Sequence, residues 1–141
     1  MTAYNGTQCA IIAAGGYPSV TEVGGRVRAF NETVVYAAQA IGSTITVARL
    51  PQGAQILGFE LVTDTSTSSA TLVFGDGTTA AAYSTAAAFT TINATQLVGP
   101  KLAGAGVLSP LTADGVIVIT TAALALPAAG NLMVTTYYTL D

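Results

Sequence analysis

The sequence predicts an all-β protein: a single jelly-roll-like antiparallel β-sandwich carried behind an extended N-terminal arm. Three observations lead there. From residue 26 onward, short runs rich in β-branched and aromatic side chains recur, the residues that suit a pleated, half-buried surface. Gly, Pro, Asp and Asn punctuate those runs at turn positions. Charged residues make up only 8% of the chain against 51% hydrophobic, where about a quarter is usual for soluble domains. A length of 141 residues fits one domain with a real core. Its surface is too poor in charge to be left bare, so much of it is expected to be covered by copies of the chain or by a larger partner.

Residues 1–25 stand apart. They hold one apolar cluster, Ala10-Ile11-Ile12-Ala13, with Gly-Gly pairs at 15–16 and 24–25 and Pro18, but no sustained period. They read as an arm hinged at Gly24-Gly25, with Ile11, Ile12 and Tyr17 as docking candidates. The domain proper is assigned to residues 26–141. Its first strand, 26–36, is β-branched and aromatic. The run 43–50 alternates, with Ile45 and Val47 on one face and Thr44 and Thr46 on the other. Pro51-Gln52-Gly53 marks a turn.

The run 55–63 follows, with Leu57, Phe59 and Leu61 expected on one face and Glu60 opposite. Residues 69–75 place Leu72 and Phe74 together. The stretch 78–106 has no clear period; alanine favours a helix there and threonine opposes it, so an irregular crossing with a short strand near 79–84 is expected. Runs 115–121 and 131–140 close the chain. In the last, Leu132, Val134, Tyr138 and Leu140 share one side, and Met133, Thr135, Tyr137 and Thr139 the other. Val116-Ile117-Val118-Ile119 is apolar on both faces, whereas a sandwich strand needs only one. The second face is expected to meet another subunit.

The inventory excludes most chemistry. There is no histidine to act as a base, and the single Cys9 has no imidazole to activate it and no partner for a disulfide or a CxxC metal site. Cys9 reads as a small apolar residue. The acids are Glu22, Glu32, Glu60, Asp64, Asp76, Asp114 and Asp141, and only Glu60 and Asp64 are close in sequence. No catalytic residue, cofactor or metal is therefore assigned. In "VFGDGTTAAAY", Gly75-Asp76-Gly77 lacks the Lys-Ser or Lys-Thr of a phosphate loop and the distal acids of an EF-hand. It reads as a turn in which glycines take positive φ and Asp76 bonds nearby amides.

Net charge is −3 and the basic residues are Arg26, Arg28, Arg49 and Lys101, which argues against nucleic acid. Arg26 and Arg28 lie two apart and share a strand face. With Arg49 they are candidates for a subunit or partner interface, since rare charges on a neutral surface fix orientation. No stretch reads as a membrane span: 9–16 has no preceding Lys or Arg, and 115–140 is broken by Pro127, Gly130 and Asn131. With no export signal read, the cytoplasm, or an assembly built there, is the expected location.

The turns and their order resemble small virion proteins of tailed bacteriophages. The shared grammar is Arg49-Leu50-Pro51-Gln52-Gly53-Ala54, then Gly75-Asp76-Gly77-Thr78, then Leu126-Pro127-Ala128-Ala129-Gly130, then a Val- and Tyr-rich final strand at 134–138. The resemblance covers 26–141. It implies a capsid decoration, or cement, protein on the outer surface of the phage head, clamping neighbouring major capsid subunits, as a homotrimer. Alternatives are a head-fibre or tail-associated virion component, or a host-glycan-binding module in which tyrosines stack on sugars.

Overall fold

The computed structural model describes residues 14–15 and 26–140. Cys9, Ile11, Ile12, Tyr17 and, apart from residues 14–15, the rest of the expected arm lie outside the described residues. Within them the strands are β1 (Arg26–Val35), β2 (Thr44–Leu50), β3 (Gln55–Thr63), β4 (Thr71–Gly75), β5 (Gln96–Val98), β6 (Gly115–Ala122) and β7 (Asn131–Leu140). One sheet has the order β1-β7-β3-β5 and the other β2-β6-β4. All pairings are antiparallel.

Successive strands alternate strictly between the two sheets. A lone bridge joining Leu72 to Ala87 adds the trace of a further strand beside β4. With it each sheet has four places, which is the eight-strand jelly-roll arrangement. The described residues contain no helix. The predicted all-β sandwich is what the chain forms.

The core lies between the sheets, and aromatic rings tie it together. Phe59 of β3 stacks on Phe74 of β4 with ring centroids 4.7 Å apart, and the Tyr83 ring is tilted against Phe59 at 5.7 Å. Tyr83 belongs to the crossing after β4, where residues 79–84 form turns instead of the expected short strand. The strand in that crossing is β5, three residues long. Alanine-rich sequence supplies too little side chain to hold a ladder, and the segment is fastened through Tyr83, whose amide donates to Phe74 O at 3.0 Å.

Two bulges change which residues face inward. In β3 the register to β7 shifts between Ile56 and Gly58. An extra residue on one strand reverses the alternation beyond it. Ile56 therefore enters the core and Leu57, expected there, is 48% exposed. In β2 the register to β6 shifts between Thr46 and Ala48. Ile45 and Val47 face inward as predicted, and beyond the bulge Ala48 and Leu50 do so as well.

The second apolar face of β6 has a local explanation. Gly77 lies so close to β6 that a Cβ there would touch the side chains of Val116 and Val118. The turn after β4 thus covers this face with the chain's own backbone, and no neighbouring subunit is needed to bury Val118. Asp76 builds the turn as the sequence suggested: its Oδ1 accepts from the amides of Thr78 (2.9 Å) and Thr79 (2.7 Å), and Gly77 has φ +88°.

β7 is an interior strand of its sheet, and two of its buried threonines, Thr136 and Thr139, have hydroxyls without a partner. Thr136 lies opposite Phe30 on one side and Phe59 on the other, fully buried, and its Oγ1 has no hydrogen-bond partner. A buried hydroxyl without a partner costs about 1–3 kcal/mol. Thr136→Val keeps the shape and removes the hydroxyl. It should raise stability by about 1 kcal/mol, seen as a rise of roughly 4 °C in Tm.

The start of β7 is clasped to the end of β3. Asp64 accepts from the Asn131 amide (2.7 Å), from Asn131 Nδ2 (3.1 Å) and from Thr65 Oγ1 (3.0 Å). These bonds, the Asn131 amide first, hold its carboxyl below the ordinary value. A depressed folded-state pKa stabilises above the unfolded value, and that contribution is lost as pH falls through the folded one. Melting temperatures of wild type and Asp64→Asn should differ at pH 6, and the difference should shrink as pH falls below the ordinary aspartate range and through the lowered folded-state value.

Candidate functional site

The register defines what the four-stranded sheet presents to its surroundings. Leu132, Val134, Thr136, Tyr138 and Leu140 of β7 point inward, so Met133, Thr135 and Tyr137 point out, as the alternation predicted. Across the ladder, Val27 and Val35 of β1, Glu60 of β3 and Leu97 of β5 occupy the same outer face. The bulge adds Leu57. Val27, Val35, Leu57, Leu97 and Met133 are all exposed, Leu97 at 78%. A shallow groove of about 280 Å³ runs over Gly58 between Val27, Leu57, Leu97 and Tyr137.

Polar atoms on this face are already paired with one another. Tyr137 donates its hydroxyl to Glu60 Oε2 at 2.8 Å, a bond that raises the phenol's pKa, and Thr135 donates to Asn31 Oδ1 at 2.6 Å. Glu60 is the one ionisable acid or base that the register sets on the outer face among the described residues. Such a face can be covered by protein at little desolvation cost, because its polar groups keep their partners. Leu97 was not legible as part of it: a three-residue strand inside an irregular crossing leaves no periodic signal.

The charged residues divide sharply. Every described carboxylate is engaged within the chain. Glu32 accepts from the Thr33 amide (3.1 Å), Asp114 from the Gln52 amide (2.8 Å), and Glu60, Asp64 and Asp76 as given above. Lys101 donates to Ala81 O at 3.1 Å. Among the described residues nothing similar engages Arg26, Arg28 or Arg49, and all three are exposed.

Arg26 and Arg28 do share a face of β1, opposite Leu140 and Tyr138. It is the inward-facing side, yet both arginines are exposed there, on the outermost strand of the sheet. Arg49 stands on β2, the outermost strand of that smaller sheet. It lines a cleft of about 200 Å³ with Phe30 and Glu32 of β1. The fold therefore brings Arg49 to the same border of the sandwich as the two β1 arginines.

A cleft of about 340 Å³ holds Asp76 and Asp114, but both carboxylates are spent on turn amides. The described residues contain no group of three or more potential metal ligands and no helix long and apolar enough to cross a membrane.

No family model matches the sequence, and no curated protein does. Solved structures do. A chain in the capsid asymmetric unit of cyanophage Pam1 matches over 100% of both chains, with 26% sequence identity and a TM-score of 0.67. This chain is similar to a phage capsid component. A chain in the capsid of Ralstonia phage GP4 shares the fold, with 17% identity, a TM-score of 0.66, and coverage of 83% of this chain and 86% of that one. The resemblance read from the Arg49–Ala54, Gly75–Thr78 and Leu126–Gly130 turns thus has a structural counterpart in phage capsids.

Proposed function

We propose that this chain is a capsid-associated structural protein of a tailed phage, without enzymatic activity. In this reading it decorates the outer surface of the head as a homotrimer and clamps neighbouring major capsid subunits. The observation that carries the proposal is the full-length likeness to a chain of the Pam1 capsid. The outer face of the four-stranded sheet supports it, since apolar side chains and internally paired polar groups suit a covered surface. A capsid lattice repeats each contact, so modest contacts give firm attachment through avidity. Residues 1–25, with Ile11, Ile12 and Tyr17, would extend the contact as an arm.

The test is attachment of purified protein to heads of the same phage that lack it. Co-sedimentation should saturate at a fixed number of copies per head, and electron microscopy should find them on the outside, in threes. Protein that stays in the supernatant at every concentration would sink the proposal. Removing residues 1–25 should weaken attachment; unchanged binding would take the arm out of the mechanism.

A further inference from the structure

The free arginines mark a particular border of the molecule. β1 is the last strand of one sheet and β2 the last of the other, and Phe30 and Glu32 share a cleft with Arg49. Along this border, among the described residues, both sheets end in a strand with one row of backbone groups outside any ladder, the geometry that accepts an added strand. Three of the chain's four basic residues lie there. Of the described acids, Glu60, Asp64, Asp76 and Asp114 are engaged by turn amides and cross-strand bonds, and Glu32 lines the same cleft as Arg49. The described acids of a second copy therefore offer these arginines few free carboxylates. Cations that no described carboxylate engages in an ion pair, repeated on one edge, call for a partner that brings the charge.

We propose that the β1–β2 border receives an extended acidic segment of another protein, with carboxylates at alternate positions. The spacing follows from β1 itself. Arg26 and Arg28 are two residues apart on one face, about 7 Å along a strand, which is the repeat of side chains on one face of an added strand. Arg49 then meets a carboxylate across the cleft. This deepens the capsid reading and rests on it for the identity of the partner: the acidic segment belongs to the head surface. Charge pairs of this kind act mainly on the speed and orientation of docking.

Two measurements separate this inference from the reading beneath it. In the first, the purified full chain is titrated with a short synthetic peptide alternating Thr and Glu, and followed by NMR. Shifts should concentrate on β1 and β2, and the triple variant Arg26→Gln/Arg28→Gln/Arg49→Gln should lose them while melting like wild type. Shifts that instead gather around Lys101, or persist in the variant, would overturn the acidic-segment site. In the second, attachment to heads is timed at low and high salt. Wild type should slow about tenfold with added salt, and the variant should attach about tenfold more slowly at low salt with little salt dependence. Equal rates and equal salt dependence would overturn it too, with head decoration left standing. If wild-type protein never attaches, the capsid reading fails and the peptide titration alone decides the border.

Discussion

Phe59→Ala should cost about 3–5 kcal/mol, the largest loss expected from any single truncation in this domain. The ring is 1% exposed and stands at the middle of β3, between β7 and β5. It touches Phe74 of the opposite sheet at 4.7 Å and Tyr83 of the long crossing at 5.7 Å. Truncation removes the buried area and leaves a cavity whose walls belong to two rigid sheets and cannot close on it. Tyr83 also loses its support, and with it the crossing that its hydroxyl fastens to Ala105 O at 2.8 Å. Urea denaturation should show a midpoint shifted far down with the slope m unchanged. A loss under about 1.5 kcal/mol would mean that the sheets are held elsewhere.

Gly75→Ala should cost about 3 kcal/mol although it adds a single methyl group. Gly75 ends β4, and a Cβ there would run into the carbonyl oxygens of Thr79 and Ala80. Both are backbone atoms of the tight turn built on Asp76, so no side chain can swing aside to make room. The neighbouring Gly77 is the natural control. Its φ of +88° disfavours a side chain, but the nearest atom, a methyl of Val116, lies 3.1 Å from the added Cβ. Gly77→Ala should cost roughly 1 kcal/mol. Equal costs at the two positions would show that conformational strain, not the collision, limits this turn.

Much of the fold was legible from local pattern. Strands with a clear two-residue period, such as 131–140, form with the predicted faces, and the turns at Pro51-Gln52-Gly53 and Gly75-Asp76-Gly77 form where Gly, Pro and Asp called for them. What failed is what a period cannot encode. The Leu57 reversal arises from a bulge against β7, a strand more than seventy residues away, and nothing within 55–63 announces it. β5 is held by three ladder pairs to β3 and has no pattern of its own. The two apolar faces of β6 were read as a subunit contact because the sequence does not reveal that the turn after β4 folds back over them.

Of the candidate interface residues, spacing put Arg26 and Arg28 on one face, and the β1–β7 register agrees. That Arg49 arrives at the same border depends on β1 and β2 being the edge strands of their sheets. Which strand ends a sheet is a tertiary property, invisible until strand order is known.

The position of the final strand has a consequence for how the molecule is made. β7 sits between β1 and β3, so a nascent chain whose β7 has not yet left the ribosome has two flanks and nothing to join them. Neighbours distant in sequence must find one another late, and topologies of this kind mature slowly. The finished shape, and any lattice-binding surface it carries, thus waits for β7 to emerge.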